Sequence, residues 1–230
     1  MSGPQLPAAV IFDVDGLLID TETCDFESWR ALHEHHRLPL SLEDYCQSAG
    51  LYGSWDGMYD VLAGRCGESA ETLRAWREPR FRRLVEERLQ PSNELTALLG
   101  LLKDSGIPRG IASSSDADWV DWLLRGLGIH QEFAAVATGG EVALRKPAPD
   151  LYLLAAARLG VDPAGSVALE DSVHGLQSAR AAGLGVIAIP NSVSIHQDLS
   201  EAHAQAAHFG EIDLELLGRV RRLAGGGPAA

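Results

Sequence analysis

The sequence predicts a doubly wound α/β fold, a parallel sheet with helices on both faces, carrying a helical insertion. Five short apolar runs, at 8–12, 109–113, 134–138, 166–169 and 185–189, read as buried strands, and most of the segments between them have helical periodicity. That alternation is expected of a parallel sheet covered on both sides. The first interval breaks the rhythm. About 100 residues separate the first run from the second, and most of them read as helix.

Within that interval Phe26, Trp29 and Leu32 recur at helical spacing, Ser41 followed by Glu43 and Asp44 reads as a helix start, and Met58, Val61, Leu62, then Leu84, Val85 and Leu89, continue the pattern. The expected organisation is therefore a core of 1–20 and 89–230 with a helical insertion at 21–88. Pro79 lies inside the insertion and cannot donate a backbone hydrogen bond, so it is expected to open a new helix or kink one.

Composition bounds the function. No apolar stretch approaches the roughly 20 residues needed to cross a bilayer, and the first seven residues carry neither the charge nor the apolar run of a signal peptide. Cys24, Cys46 and Cys66 are odd in number and lack C-x-x-C spacing, which argues against a disulfide framework or zinc site and fits a reducing compartment. A cytoplasmic, monomeric protein is the expectation. The net charge of -13 repels nucleic acid and anionic membranes, so a small molecule is the expected partner.

The most informative segment is the apolar strand ending in Asp13-Val14-Asp15-Gly16. Two carboxylates two residues apart project to the same side of an extended chain. Held close, they repel each other unless a cation or a proton offsets the charge, which implies a metal or an acid/base role. The carboxyl ends of strands in open α/β sheets are where ligands bind. Three more sites follow strand-like runs in order: Ser113 to Ser115, Lys146 before a helix, and the Glu170-Asp171 pair. A hydroxyl, an ammonium and an acidic pair would then converge on one edge of the sheet.

This ordered set resembles the haloacid dehalogenase superfamily, and in detail its β-phosphoglucomutase-like branch. The matching stretches are 12–22 (FDVDGLLIDTE), 111–115 (IASSS), 145–150 (RKPAPD), 169–175 (LEDSVHG) and 186–191 (VIAIPN). The resemblance implies a Rossmann-like core with an α-helical cap, and a Mg²⁺-dependent phosphatase acting on a small phosphorylated metabolite. It implies that Asp13 is the nucleophile and forms an aspartyl-phosphate. Asp15 would be the general acid and then the base. Ser113 and Lys146 would bind phosphoryl oxygens. Mg²⁺ would be held by the Asp13 carboxylate, the Asp15 carbonyl and the Asp171 carboxylate, with Glu170 at the edge of the shell. Ser114, and Tyr52 and Trp55 of the insertion, are the candidate substrate contacts.

Two other readings stay open. A phosphosugar mutase resembles the same branch, but its pattern has a histidine where this chain places Asp25, and cationic residues in the insertion that hold a distal phosphate. Here 50–55 carries no cation, and the insertion has no lysine. Both points favour hydrolysis. A non-catalytic phosphate or metal sensor needs neither a general acid nor a 68-residue insertion. Among other polar clusters, His33, His35 and His36 are expected on a surface helix, Arg77, Arg80, Arg82, Arg83 and Arg88 on a solvated face, and Asp116 at a helix N-cap.

Overall fold

The central strands of the core are short and buried on both faces, as a parallel sheet between helix layers requires. The computed structural model describes residues 6–51 and 55–225. β1 (Val10–Phe12), β2 (Arg109–Ala112), β3 (Ala135–Ala137), β4 (Val167–Glu170), β5 (Gly185–Ala188) and β6 (Ala204–Gln205) form one parallel sheet in the order β3-β2-β1-β4-β5-β6. The α/β class is as expected. β6 is an addition: two residues, Ala204 half-buried and the polar Gln205 exposed, present no apolar run in the sequence, and they join because they pair with Ile187 and Ala188 of β5.

Strand alternation decides which layer each side chain meets. Ile11, Ala112, Ala137, Ala168, Val186 and Ala188 face α7 (Asp150–Leu159) and α8 (Val173–Ala181), packing with Leu151, Tyr152, Ala155, Leu176 and Ala179 in one buried cluster. Many of the strand residues there are alanines, which let the helices approach closely. Phe12 points to the opposite face and meets Phe133 edge-on at 5.6 Å. Burying each large side chain contributes about 1.5–3 kcal/mol. Ser92 caps α5 (Asn93–Asp104) by accepting from the Leu95 amide at 3.0 Å, and Ser172 caps α8 by accepting from Gly175 at 3.2 Å.

The topology reverses at β1. The chain runs from β1 to β2 and β3 on one side, then returns to add β4 and β5 on the other. Phe12 lies opposite Ile111 and Leu169. Asp13 and Ser113, just past the ends of β1 and β2, and Glu170, the last residue of β4, thus stand at the ends of adjacent strands, at the crevice where ligands bind in such sheets.

By compactness the chain divides into Met1–Ile19 with Leu89–Ala230, and Asp20–Arg88. The second unit is helical: α1 (Thr21–His35), α2 (Leu42–Leu51), α3 (Trp55–Cys66) and α4 (Ala70–Glu86), with Trp29, Leu32, Tyr45, Tyr59, Leu62 and Leu73 buried. Asp20 caps α1 through the Thr23 amide at 2.9 Å. Before α2, Ser41 and Asp44 bond reciprocally: the Asp44 amide donates to Ser41 Oγ at 3.0 Å, and Ser41 Oγ donates to Asp44 Oδ2 at 2.6 Å.

Several expectations for this unit need correcting. Of the two outcomes expected at Pro79, the opening of a new helix does not occur, since α4 runs through it. Arg77 is not on a solvated face. It is 6% exposed and donates to Asp25 Oδ1 at 2.6 Å, Ser28 Oγ at 2.6 Å and Tyr59 Oη at 2.7 Å, while Tyr45 Oη donates to Asp25 Oδ2 at 2.8 Å. His33 is buried rather than on the surface, next to Trp29, and burial lowers its imidazole pKa below the ordinary value. In the other unit Asp116 occupies the N-cap of α6 (Ala117–Gly126), yet its side chain makes no capping bond and accepts from Arg145 at 2.9 Å instead. Among the described residues no helix is long and apolar enough to cross a membrane.

Candidate active site

Asp13 follows β1 directly, its amide held by the Leu169 carbonyl at 3.0 Å, so the sheet itself aims its carboxylate into the crevice. Lys146 Nζ lies 2.5 Å from Asp13 Oδ1 and 2.6 Å from Glu170 Oε1. Beneath them Tyr152, rooted in the apolar core, donates its hydroxyl to Glu170 Oε1 at 2.5 Å, and its ring lies 5.1 Å from Lys146 Nζ. Burial first, then the Glu170 charge, push the Tyr152 phenol well above its ordinary pKa, so it stays protonated as a donor.

Asp171 completes the acidic group. Carboxylate oxygens of Asp13, Glu170 and Asp171, all buried, lie within 4.8 Å of one another. Asn191 Nδ2 orients Asp171 by donating to Oδ2 at 2.8 Å, and it also reaches the Gly16 carbonyl at 3.1 Å. Gly16 has φ +81°, and a Cβ there would fall 2.4 Å from Asp171 Oδ2, so both backbone conformation and space demand glycine.

Three carboxyl groups share this buried space with one ammonium, so with all three ionised two negative charges need to be offset. Burial raises the Asp13 carboxyl to about 8, and the charges of Glu170 and Asp15 add to the rise against the opposing Lys146. For Lys146 burial works the other way, but the charges of Asp13 and Glu170 outweigh it and hold the ammonium pKa above its ordinary value. Glu170 Oε2 is buried with no hydrogen-bond partner. An all-oxygen, doubly negative cluster fits a hard divalent cation.

Gly175 makes room for that cluster, because a Cβ on it would sit 1.8 Å from Glu170 Oε2. Gly175→Ala is expected to cost about 1–3 kcal/mol by overpacking and to displace the Glu170 carboxylate from Lys146. An unchanged thermal midpoint would show that the carboxylate has other room.

Asp15 turns away from the cluster. Its Oδ2 accepts from Ser115 Oγ at 2.7 Å, and its Oδ1 accepts from Trp119 Nε1 at 2.8 Å. Ser115 also links the next candidate, since its amide donates to Ser113 Oγ at 3.1 Å. Ser113 itself is buried at the end of β2, its amide bonded to the Ala137 carbonyl at 3.0 Å. Gly139 packs on the Ser114 carbonyl, with room for no Cβ.

Of the residues expected from sequence, Asp13, Lys146, Glu170 and Asp171 thus meet directly, while Asp15 and Ser113 are linked to each other through Ser115. Tyr52 lies outside the described residues, and Trp55 opens α3 in the helical unit. Tyr152, Asn191 and Trp119 were missed. Tyr152 reads in the sequence as an ordinary core position of α7, and Trp119 as an apolar residue near a helix start. Asn191 alone carried a signal, standing at the end of the 186–191 stretch beyond β5.

Comparison with known proteins agrees with this geometry. A family of haloacid dehalogenase-like hydrolases matches residues 7–183. A Bacillus subtilis (strain 168) protein named "Putative phosphatase YhcW" is 36% identical, with 91% of this chain and 95% of that protein covered. Hexitol phosphatase B of Escherichia coli (strain K12) is 32% identical over 83% of this chain and 86% of its own. The crystal structure of CbbY from Rhodobacter sphaeroides in complex with phosphate superposes with a TM-score of 0.72 at 27% identity, covering 90% of this chain and 96% of that one. Relatives of the chain include phosphatases of phosphorylated carbohydrates and a β-phosphoglucomutase. A strand-end aspartate paired with a buried lysine and backed by an acidic pair, on a sheet of this topology and with these relatives, places the chain among the haloacid dehalogenase-like hydrolases, the family to which it belongs.

Proposed function

We propose that the protein is a Mg²⁺-dependent phosphatase that hydrolyses a small phosphorylated sugar or similar phosphomonoester through a phosphoryl group carried on Asp13. The observation that carries this reading is the buried contact of Asp13 with Lys146, backed by Glu170 and Asp171. In the first step an Asp13 carboxylate oxygen bonds to phosphorus, the bond from phosphorus to the alcohol oxygen breaks, and Asp15 gives that oxygen a proton. In the second step water attacks phosphorus, Asp15 takes the water's proton, and the bond to Asp13 breaks to release phosphate.

A lysine ammonium has three donors. Two serve Asp13 and Glu170, and the third is assigned to a phosphoryl oxygen, beside the Ser113 hydroxyl. The carboxylates of Asp13 and Asp171, with the Asp15 carbonyl and Glu170 nearby, would hold the cation, which supplies charge neutralisation for the phosphoryl group when bound. Ser114 is read as a substrate contact, and residues 21–88, with Tyr52 and Trp55, as the cap unit that selects substrates.

Hydrolysis is preferred to mutase chemistry on one observation. Asp25, where the mutase pattern has a histidine, is buried and engaged by Arg77 and Tyr45, so it is not available to hold or move a proton on a sugar. The test measures phosphate release from a panel of sugar phosphates and p-nitrophenyl phosphate, with and without Mg²⁺, for wild type and Asp13→Asn. Release that requires Mg²⁺ and vanishes in the variant is the expected result. Cleavage that survives Asp13→Asn would sink the assignment of the nucleophile, and transfer between sugar positions without net phosphate release would restore the mutase reading.

A further inference from the structure

The Asp15 carboxylate is held by two donors from a single short stretch, the end of the loop after β2 and the first turn of α6. Ser115 and Trp119 lie 100 and 104 residues from Asp15 in sequence, yet each contacts a different carboxylate oxygen, at 2.7 and 2.8 Å. The Ser115 backbone is fixed in turn, because its amide donates to Ser113 Oγ and its carbonyl accepts from the Gly139 amide at 2.8 Å. Trp119 stacks beside Trp122, with ring centroids 5.0 Å apart. Both donors therefore sit on braced supports.

We propose that Ser115 and Trp119 are positioning residues that orient the Asp15 carboxylate for its acid and base roles. An indole N–H can only donate, whereas a hydroxyl donates or accepts. The Trp119 N–H thereby holds Oδ1 as an acceptor, while the Ser115 hydroxyl at Oδ2 can turn to accommodate either form of the carboxyl group. This inference rests on the phosphatase reading above and extends it to two residues outside the group formed by Asp13, Lys146, Glu170 and Asp171.

A general acid matters when the leaving group needs a proton. An alkyl phosphate releases a basic alkoxide, while p-nitrophenyl phosphate releases a phenolate that departs without help. Trp119→Phe keeps the ring and removes the donor; Ser115→Ala removes the other donor, and Ser115→Thr returns a hydroxyl. The experiment follows single-turnover cleavage of the alkyl phosphate that the wild type cleaves best, beginning with fructose 1-phosphate, and the burst of p-nitrophenolate.

Expected is a fall of about 10- to 100-fold on the alkyl phosphate for Trp119→Phe and for Ser115→Ala, within the range general acid catalysis supplies. The burst rate should change less than about threefold, with recovery in Ser115→Thr. Equal losses on both esters, or no loss on either, overturn the proposal. If Trp119→Phe fails to fold, the Ser115 pair decides by the same criterion. A wild type that cleaves no ester refutes the phosphatase reading itself and takes this proposal with it, an outcome separable from the first because there the wild type is active.

Discussion

Lys146→Met is expected to lower kcat/KM on every phosphomonoester by about 10² to 10³, the cost of losing one preorganised donor to a developing oxyanion. Methionine keeps the length and the packing over Tyr152 while removing the charge. The loss has two sources. On the proposed reading the phosphoryl oxygens lose a donor, and the buried carboxylates of Asp13 and Glu170 lose the ammonium that lies 2.5 and 2.6 Å from them. Because Lys146 opposes the upward shift of the Asp13 carboxyl, which already stands at about 8, its removal raises that group further. The variant should then hold Asp13 protonated to higher pH in the cation-free protein and demand more Mg²⁺ for half-maximal rate. Lys146→Arg should not rescue, since a planar guanidinium is too wide for a point-charge position between two carboxylates. Steady-state kinetics across a Mg²⁺ titration would check this, and a loss below about fivefold would remove Lys146 from the phosphoryl site.

Arg77→Met is expected to destabilise the helical unit by about 3–5 kcal/mol, the usual penalty for stranding one member of a buried ion pair. The guanidinium and the Asp25 carboxylate are 7% and 11% exposed, so solvent does not screen them. Burial disfavours the Arg77 cation, but Asp25 and Tyr59 outweigh it and raise its pKa above the ordinary value. The replacement leaves Asp25 with Tyr45 as its donor, and withdraws the cation from the Trp29 ring, 4.4 Å away. In the double variant Asp25→Leu with Arg77→Met both charges are gone, and much of the stability should return, because buried pairs exchange for apolar residues at little net cost. Thermal melts of the two single variants and the double variant close the cycle. Additive losses would show that the two residues are not coupled.

How far the sequence could be read depends on the range of the interaction. Strand and helix identity follow from local periodicity, so five strands, their order along the chain and the inserted helices were legible. β6 was not, because two residues carry no period and become a strand only by pairing with β5. Similarly, α4 passes through Pro79, and Arg77 looked like one of several solvated arginines because charge runs on helices usually are.

The same division governs the site. By itself the sequence determined that carboxylates, a hydroxyl and an ammonium follow successive strands, since chain order on a parallel sheet places the C-terminal end of every strand along one edge. It also determined the resemblance that gives those residues their expected roles. Which groups meet which was decided by the tertiary structure alone. Tyr152 beneath Glu170, Asn191 on Asp171, Arg77 on Asp25 and Trp119 on Asp15 are separated by 18, 20, 52 and 104 residues. A hydrogen bond is made by atoms about 3 Å apart, and over such separations only the packing of helices on the sheet and on one another brings the partners within that reach.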